Sequence, residues 1–309
     1  MRRAATQYPV AVPPDLSVVI VAHNSALVIG KLLESIPAAL AGMTADVVVV
    51  DNDSADGTAE LVAAAGHRVV RSANVGFAGG INRGVREAAA APAVLALNPD
   101  VRLAPDSLPP LVRALHTPRT GIAAPRVLTD SGELFPSLRR EPSLPRAMGL
   151  NRTGWPVFSE YVAKPAEYAE PKPVDWALGA VLLFSRACFD AVGGWDESYF
   201  LYSEETDFCL RARDLGFATR YEPASVAVHI GGASGQNERT HAMQIVNRVR
   251  LYRRRHPGAA AWAYWALTVA SESTWAIRAG AKSRFAVTAL VRPSLRPPEI
   301  GASDRLLPL

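Results

Sequence analysis

Apolar and polar positions alternate along the first hundred residues in blocks rather than singly. Leu16 to Ala22 (LSVVIVA) is apolar almost throughout, the pattern of a strand buried on both faces of a parallel sheet. It ends in His23-Asn24-Ser25, and a helical stretch to Leu40 follows. A second apolar run, Val47 to Val50, stops at Asp51-Asn52-Asp53-Ser54 before another helix through Ala65. A short strand from Arg68 to Arg71 leads into NVGFAGGINRG and a third helix, and a fourth strand, Ala93 to Leu97, ends at Asn98-Pro99-Asp100. This strand-helix alternation predicts an α/β fold with a mostly parallel central sheet and right-handed crossovers.

In such sheets ligands bind beyond the carboxyl ends of the strands, so His23, Asn24, Asp51, Asp53, Asn74 and Asp100 are predicted to converge on one crevice. The ordinary reading is that polar loops simply begin there. A Rossmann dehydrogenase would carry GxGxxG after the first strand, where this chain has HNSALVIG, so NAD binding is disfavoured. Gly76, Gly79 and Gly80 follow the third strand instead and permit close approach of a phosphate or sugar, or mark a tight turn.

Beyond about Pro105 the pattern loosens, and residues 130–173 are proline-rich with Trp155, Phe158, Tyr161 and Tyr168 among them. The stretch FLYSEETDFCLRARDLGF then brings Glu204, Glu205 and Asp207 together at a predicted helix start. With Ser203 as N-cap, the first-turn amides and the helix dipole would favour ionised carboxylates, and an ionised carboxylate can act as a general base. The ordinary alternative makes Asp207 and Arg211 a surface pair one helical turn apart.

With 309 residues, 49% hydrophobic and 20% charged, the chain can bury a full core as one large domain or two. Cys188 and Cys209 form no metal or disulfide spacing, which predicts a reducing, cytoplasmic setting. No apolar segment follows the two N-terminal arginines, so no secretory signal is expected, and residues 1–14 read as a flexible tail.

Taken together, VVIVAHNS, VVVVDNDSADGT, LALNPDV and FLYSEETDFCLR resemble the inverting GT-A glycosyltransferases of family 2, over roughly residues 16–232. NVGFAGGINRG, with Asn-Pro-Asp in place of Asp-x-Asp, resembles the rhamnosyltransferases that use dTDP-L-rhamnose, the actinobacterial type that extends polyprenyl-diphosphate-GlcNAc in cell-wall linker synthesis. The resemblance implies a GT-A (nucleotide-diphospho-sugar transferase) fold, with a catalytic domain at 15–247 divided into a nucleotide-sugar half (15–104) and an acceptor half (105–247).

It further implies Ala22, His23 and Asn24 around the base and Asp51 on the pyrimidine ring, with Asp53, Asn74, Gly76, Gly79, Asn82, Asn98 and Asp100 completing the donor site. Asp100 and His229 would hold Mg2+ or Mn2+. Asn98 stands where the family has its first metal carboxylate, so the ion should bind more weakly. Glu205 matches the catalytic base, with Asp207 and Glu204 as open alternatives, and Trp176, Gly179 and Ala180 match the acceptor side. Two rivals remain: a UDP-sugar-dependent hexosyl or galactofuranosyl transferase, and a catalytically inactive nucleotide-sugar-binding protein.

The C-terminal region reads as a basic and apolar helical segment, 248–291, and a disordered tail, 292–309. Arg248, Arg250, Arg253, Arg254 and Arg255 precede an apolar run from Gly258 to Ala270 that is too short for the about 20 residues of a membrane span. An interfacial helix on an anionic membrane surface, or a helix packed on the core with solvated arginines, both fit. The protein is thus expected peripherally on the inner face of the cell membrane, with no nucleic-acid partner.

Overall fold

The computed structural model describes residues 13–231 and 237–300. The expected alternation is present, as β1 (Leu16–Ala22), α1 (Ile29–Leu40), β2 (Ala45–Asn52), α2 (Thr58–Ala64), β3 (Arg68–Ser72), α3 (Gly76–Glu87) and β4 (Ala93–Leu97). There follow β5 (Val101–Leu103), α4 (Leu108–Ala114), β6 (Thr120–Leu128), β7 (Leu138–Arg139), α5 (Leu144–Ala147), β8 (Lys172–Val174), β9 (Trp176–Ala177), β10 (Val181–Ser185), α6 (Arg186–Val192), α7 (Glu204–Asp214) and β11 (Ala218–His229). Three helices complete the described chain: α8 (Glu238–Arg255), α9 (Ala259–Ala279) and α10 (Ala281–Val291).

The main sheet runs β3-β2-β1-β4-β10-β6-β11-β5, with β8 added along β11. Its first four strands are parallel, β10 is antiparallel to β4 and β6, and β6 and β11 run parallel. Along β1, Val18 and Ile20 enter one apolar cluster while Val19 and Val21 enter the cluster on the opposite face, which is why the strand carries no polar alternation. Helix α3 lies tightly on this strand. A Cβ at Gly80 would come within 2.6 Å of Val21, and one at Gly84 within 2.2 Å of Val19.

The C-terminal helices pack on each other and on residues 200–202 to form a third apolar cluster. Several expectations change here. The boundary drawn at 247/248 falls inside α8, an unbroken 18-residue helix. The apolar run of α9 packs on the protein through one side: Tyr264 is fully buried and stacks on Tyr252, ring centroids 3.9 Å apart, while Trp262 is exposed.

The α8 arginines are not a solvated basic flank either. Arg248 pairs with Glu160 and Tyr264, Arg254 reaches Asp196 at 2.6 Å, and Arg255 bridges Asp214 and Glu141. Arg250 is buried and donates to Ser198 O and Asn247 Oδ1. The tail expected to be disordered begins with two short turns, Pro293–Leu295 and Pro298–Ile300, and Ile300 is buried. Residues 301–309 and most of the N-terminal tail, 1–12, lie outside the described residues. No described helix is long and apolar enough to cross a membrane.

Candidate functional site

At the carboxyl ends of the parallel strands, Ala22 pairs with Asp51 in register, and the loops beyond them interlock. His23 Nδ1 meets Asn52 O at 2.7 Å, and Asn24 accepts from the Ala55 amide and presents its own amide to Ser54 Oγ. Asp51 is 2% exposed, and one carboxylate oxygen, Oδ1, has no partner. A buried acceptor left in that state suits a ligand N–H. Asp53 sits in the left-handed region at φ 63°, and its side chain is exposed, as are His23, Asn24 and Asn74.

Three residues assigned to the donor have work inside the protein. Asn82 gives both amide protons to Trp195 O and Glu197 Oε1 and accepts from Trp195 N, so its side chain is committed to holding the 194–197 loop rather than to a ligand. Gly76 has φ +77°, and a Cβ there would lie 2.2 Å from Phe200 O. Gly79 faces Val75 at 2.8 Å.

Asp100 lies just past β4 and is held beside the end of β11, where its carbonyl accepts from Ile230 N at 3.1 Å. His229 Nε2 stands 3.3 Å from Asp100 Oδ1, yet that oxygen and His229 Nδ1 are both buried without a hydrogen bond. One carboxylate oxygen and one imidazole nitrogen make two donors of the kind a divalent ion accepts. Among the described residues no cluster of three such ligands exists, so an ion would need donor-phosphate or water oxygens to fill its shell. Asn98 is half-buried and is anchored through its backbone, N–H to Ala180 O at 2.9 Å.

The three acids divide by environment. Phe200, Tyr202 and Ser203 all have positive φ, and this run of left-handed residues turns the chain sharply into α7. Ser203 occupies the N-cap position but makes no capping hydrogen bond through its side chain. The acids are not solvated first-turn carboxylates. Glu204, Glu205 and Asp207 are 4%, 9% and 7% exposed.

Burial, joined by the charge of Glu205, pushes the Glu204 carboxyl well above its usual value. Burial raises Glu205 too, while backbone N–H groups of Glu205, Gly179 and Thr206 and the charge of Arg139 pull it down. Dehydration thus outweighs the helix N-terminus for both. Of this pair, the Glu204 carboxyl is pushed up further. Asp207 is also raised by burial, against the opposing pull of Arg211, which binds it at 2.6 Å.

Glu205, alone of the three, lines a cavity of about 400 Å³ between the sheet domain and the C-terminal helices. Trp176 and Tyr161 form one side, while His241 and Arg248 of α8 and Ser271 and Trp275 of α9 form another. Of the acceptor residues expected, Trp176 lines it, Gly179 backs Glu205 so closely that a Cβ would lie 3.1 Å from Glu205 Cβ, and Ala180 is instead buried in the core.

Asn247 was not foreseen. Wholly buried on α8, its amide donates to Tyr199 O (2.7 Å), Leu201 O (2.9 Å) and Tyr202 O (3.2 Å), clamping the left-handed run ahead of the acids. A lone Asn in an arginine-rich helix carries no sequence signal of this.

A sequence profile described as Glycosyl transferase family 2 matches residues 17–163. The N-acetylglucosaminyl-diphospho-decaprenol L-rhamnosyltransferase of Mycobacterium tuberculosis is 32% identical over 216 residues, covering 63% of this chain and 70% of that protein. The low-salt glycan biosynthesis hexosyltransferase Agl10 of Haloferax volcanii is 31% identical over 204 residues, 64% of this chain and 62% of its own. Among solved structures, GalNAc-T7 with UDP, GalNAc and Mn2+ superposes with a TM-score of 0.60 at 18% identity, over 79% of this chain but 48% of the other.

Proposed function

The chain belongs to glycosyltransferase family 2, and from that premise we propose that it transfers L-rhamnose from dTDP-L-rhamnose to N-acetylglucosamine carried on polyprenyl diphosphate, inverting the anomeric carbon. Enzymatic glycosyl transfer is common to the family and its named relatives; the donor and acceptor are our reading. The observation that carries it is the 32% identity to the mycobacterial rhamnosyltransferase over 216 residues.

In this reading Asp51 receives a ring N–H of the base through its unpartnered oxygen, and the 22–24 and 53–55 loops enclose the nucleoside. Asp100 and His229 would hold a divalent metal, and the nitrogen ligand would favour Mn2+ over Mg2+. When bound, the ion offsets negative charge on the departing nucleoside diphosphate. Glu205 takes the proton of the acceptor hydroxyl as that oxygen attacks the anomeric carbon and the bond to the diphosphate breaks. A single displacement inverts configuration. Closure of the cavity by α8 and α9 keeps water from competing.

A lipid-linked acceptor places the enzyme peripherally on the inner face of a membrane. The apolar surface available for that contact is Met148, Leu150, Trp155 and Val157, all exposed around cavity-lining residues Gly149 and Phe158, rather than the arginines of α8. The alternative reading puts a UDP-hexose at the same site; the relative named a hexosyltransferase supports only a hexose there.

The test is nucleotide release by purified protein given dTDP-rhamnose, UDP-galactose, UDP-galactofuranose or UDP-GlcNAc, with Mg2+ or Mn2+ and a short-chain polyprenyl-diphosphate-GlcNAc. Release only with dTDP-rhamnose and acceptor is expected. Turnover of a UDP-sugar would replace the donor assignment, and silence throughout would favour a non-catalytic binder.

A further inference from the structure

The cavity beside Glu205 holds a cation that the reaction scheme above leaves without a role. Arg139 is 7% exposed, yet it forms no ion pair with a carboxylate among the described residues. Its Nη1 donates to Pro136 O and Leu138 O, and no protein acceptor meets Nε or Nη2. The guanidinium lies over the Tyr161 ring, 4.0 Å from its centroid, and 5.8 Å from that of Trp176. Two carbonyls and two aromatic faces therefore fix its plane while leaving donors unused. A buried guanidinium is costly unless its donors are met, so an arrangement of this kind anticipates an anion.

A second guanidinium lines the same cavity. Arg146 donates through Nη1 to Glu141 O, and its Nε is buried without a partner. The remaining charged groups around the space are committed to each other: Arg248 to Glu160, and His241 Nε2 to Glu272 Oε2 at 3.1 Å. Glu205 is the one lining carboxylate outside these pairs; Arg139 and Arg146 are the guanidiniums there with donors unused, and planar guanidinium forks suit phosphate oxygens.

We propose that Arg139, assisted by Arg146, binds the diphosphate of the acceptor, holding it in the cavity so that the sugar it carries reaches Glu205. The assignment rests on the acceptor class proposed above. It makes the cavity selective for phosphate-linked over neutral glycosides, with Tyr161 and Trp176 as the rigid backing of the anion receptor.

The experiment compares two acceptors, citronellyl-diphosphate-GlcNAc and neutral citronellyl β-GlcNAc, in wild type, Arg139→Lys and Arg139→Met, with whichever nucleotide sugar supports turnover. Wild type should prefer the diphosphate. In Arg139→Met, KM for that acceptor should rise roughly 10- to 100-fold, the range for losing hydrogen bonds to a charged group, while kcat/KM for the neutral acceptor, compared on the pH plateau above the acid limb, stays near wild type. Arg139→Lys should recover part of the preference, and unaltered nucleotide binding in each variant certifies the fold.

If Arg139→Met lowers plateau turnover of both acceptors equally, Arg139 acts only through Glu205, whose carboxyl its charge pulls down, and the proposal is overturned. Unchanged discrimination overturns it as well. A wild type indifferent to the diphosphate would instead refute the acceptor class under the proposed function, and this inference with it.

Discussion

Arg211 Nε meets Asp207 at 2.6 Å across one turn of α7, and its other nitrogens donate to Val192 O and Gly194 O. The strongest local partner of the acid triad is therefore given to Asp207, which, like Glu204, does not line the cavity. Asp207→Asn should lower stability by about 1–2 kcal/mol, discounted because Arg211 is partly exposed, while the folded fraction still transfers sugar. Chemical denaturation beside an activity assay measures both; a folded but inactive variant would return Asp207 to contention as the base.

Glu205→Gln keeps the shape of the cavity and removes the proton acceptor. Turnover should fall roughly 100- to 10,000-fold with nucleotide affinity unchanged. Because burial raises the Glu205 carboxyl, the acid limb of kcat/KM in wild type should lie above the ordinary value of 4.5, with activity climbing as pH rises through it. A limb at or below that value would contradict a buried carboxylate as base.

Glu204 allows a separate test by stability. Its folded-state pKa stands well above 4.5, so as pH rises past 4.5 the unfolded chain ionises while the folded one holds its proton. Stability is lost through that window. Glu204→Gln should accordingly raise Tm at pH 7–8, and the gain should shrink as pH falls below 4.5. A gain that is constant with pH would mean Glu204 is already ionised when folded.

Chelation should stop transfer, and Asp100→Asn should raise the metal concentration needed for half-activity by at least roughly 10-fold. Asn98→Asp adds a hard anionic oxygen and should lower that requirement. Titration of Mn2+ against turnover in the three proteins decides it; identical curves would remove Asp100 from metal binding.

Asn247→Ala removes the side-chain donor shared by three carbonyls of the 199–202 run, of which Tyr199 O keeps the Leu201 amide. We expect a loss of about 1–3 kcal/mol in stability and a larger proportional loss in kcat, since the left-handed residues ahead of Glu204 are then free to relax. Thermal melts and kinetics at a temperature where the variant is folded separate the two effects. Full turnover in the folded variant would show that the clamp is not needed for geometry.

Legibility in the sequence followed the range of the forces involved. Strands β1 and β4 have the boundaries read from their apolar runs, because a strand buried on both faces must be apolar at nearly every position, Ser17 being accommodated by donating to Ala89 O. His23, Asp51 and Asp100 fall at strand ends because parallel topology leaves polar chemistry nowhere else. Whatever depended on distant partners was illegible. Five arginines in eight residues look like a solvated basic patch until Glu160, Asp196 and Asp214 are folded against three of them. The acids at the start of α7 likewise look like helix-stabilising charges, since nothing local foretells that α8 and α9 will exclude water from them.

Those same contacts make the C-terminal helices a poor cassette for exchange among transferases. A graft of α8 to α10 from a relative would have to bring counterparts to Glu160, Asp196 and Asp214, together with the backbone path from Tyr199 to Tyr202 that Asn247 reads. Acceptor preference in this enzyme should therefore be retuned by point changes inside the cavity, because recombination at the helix boundary would dismantle the turn that delivers Glu205.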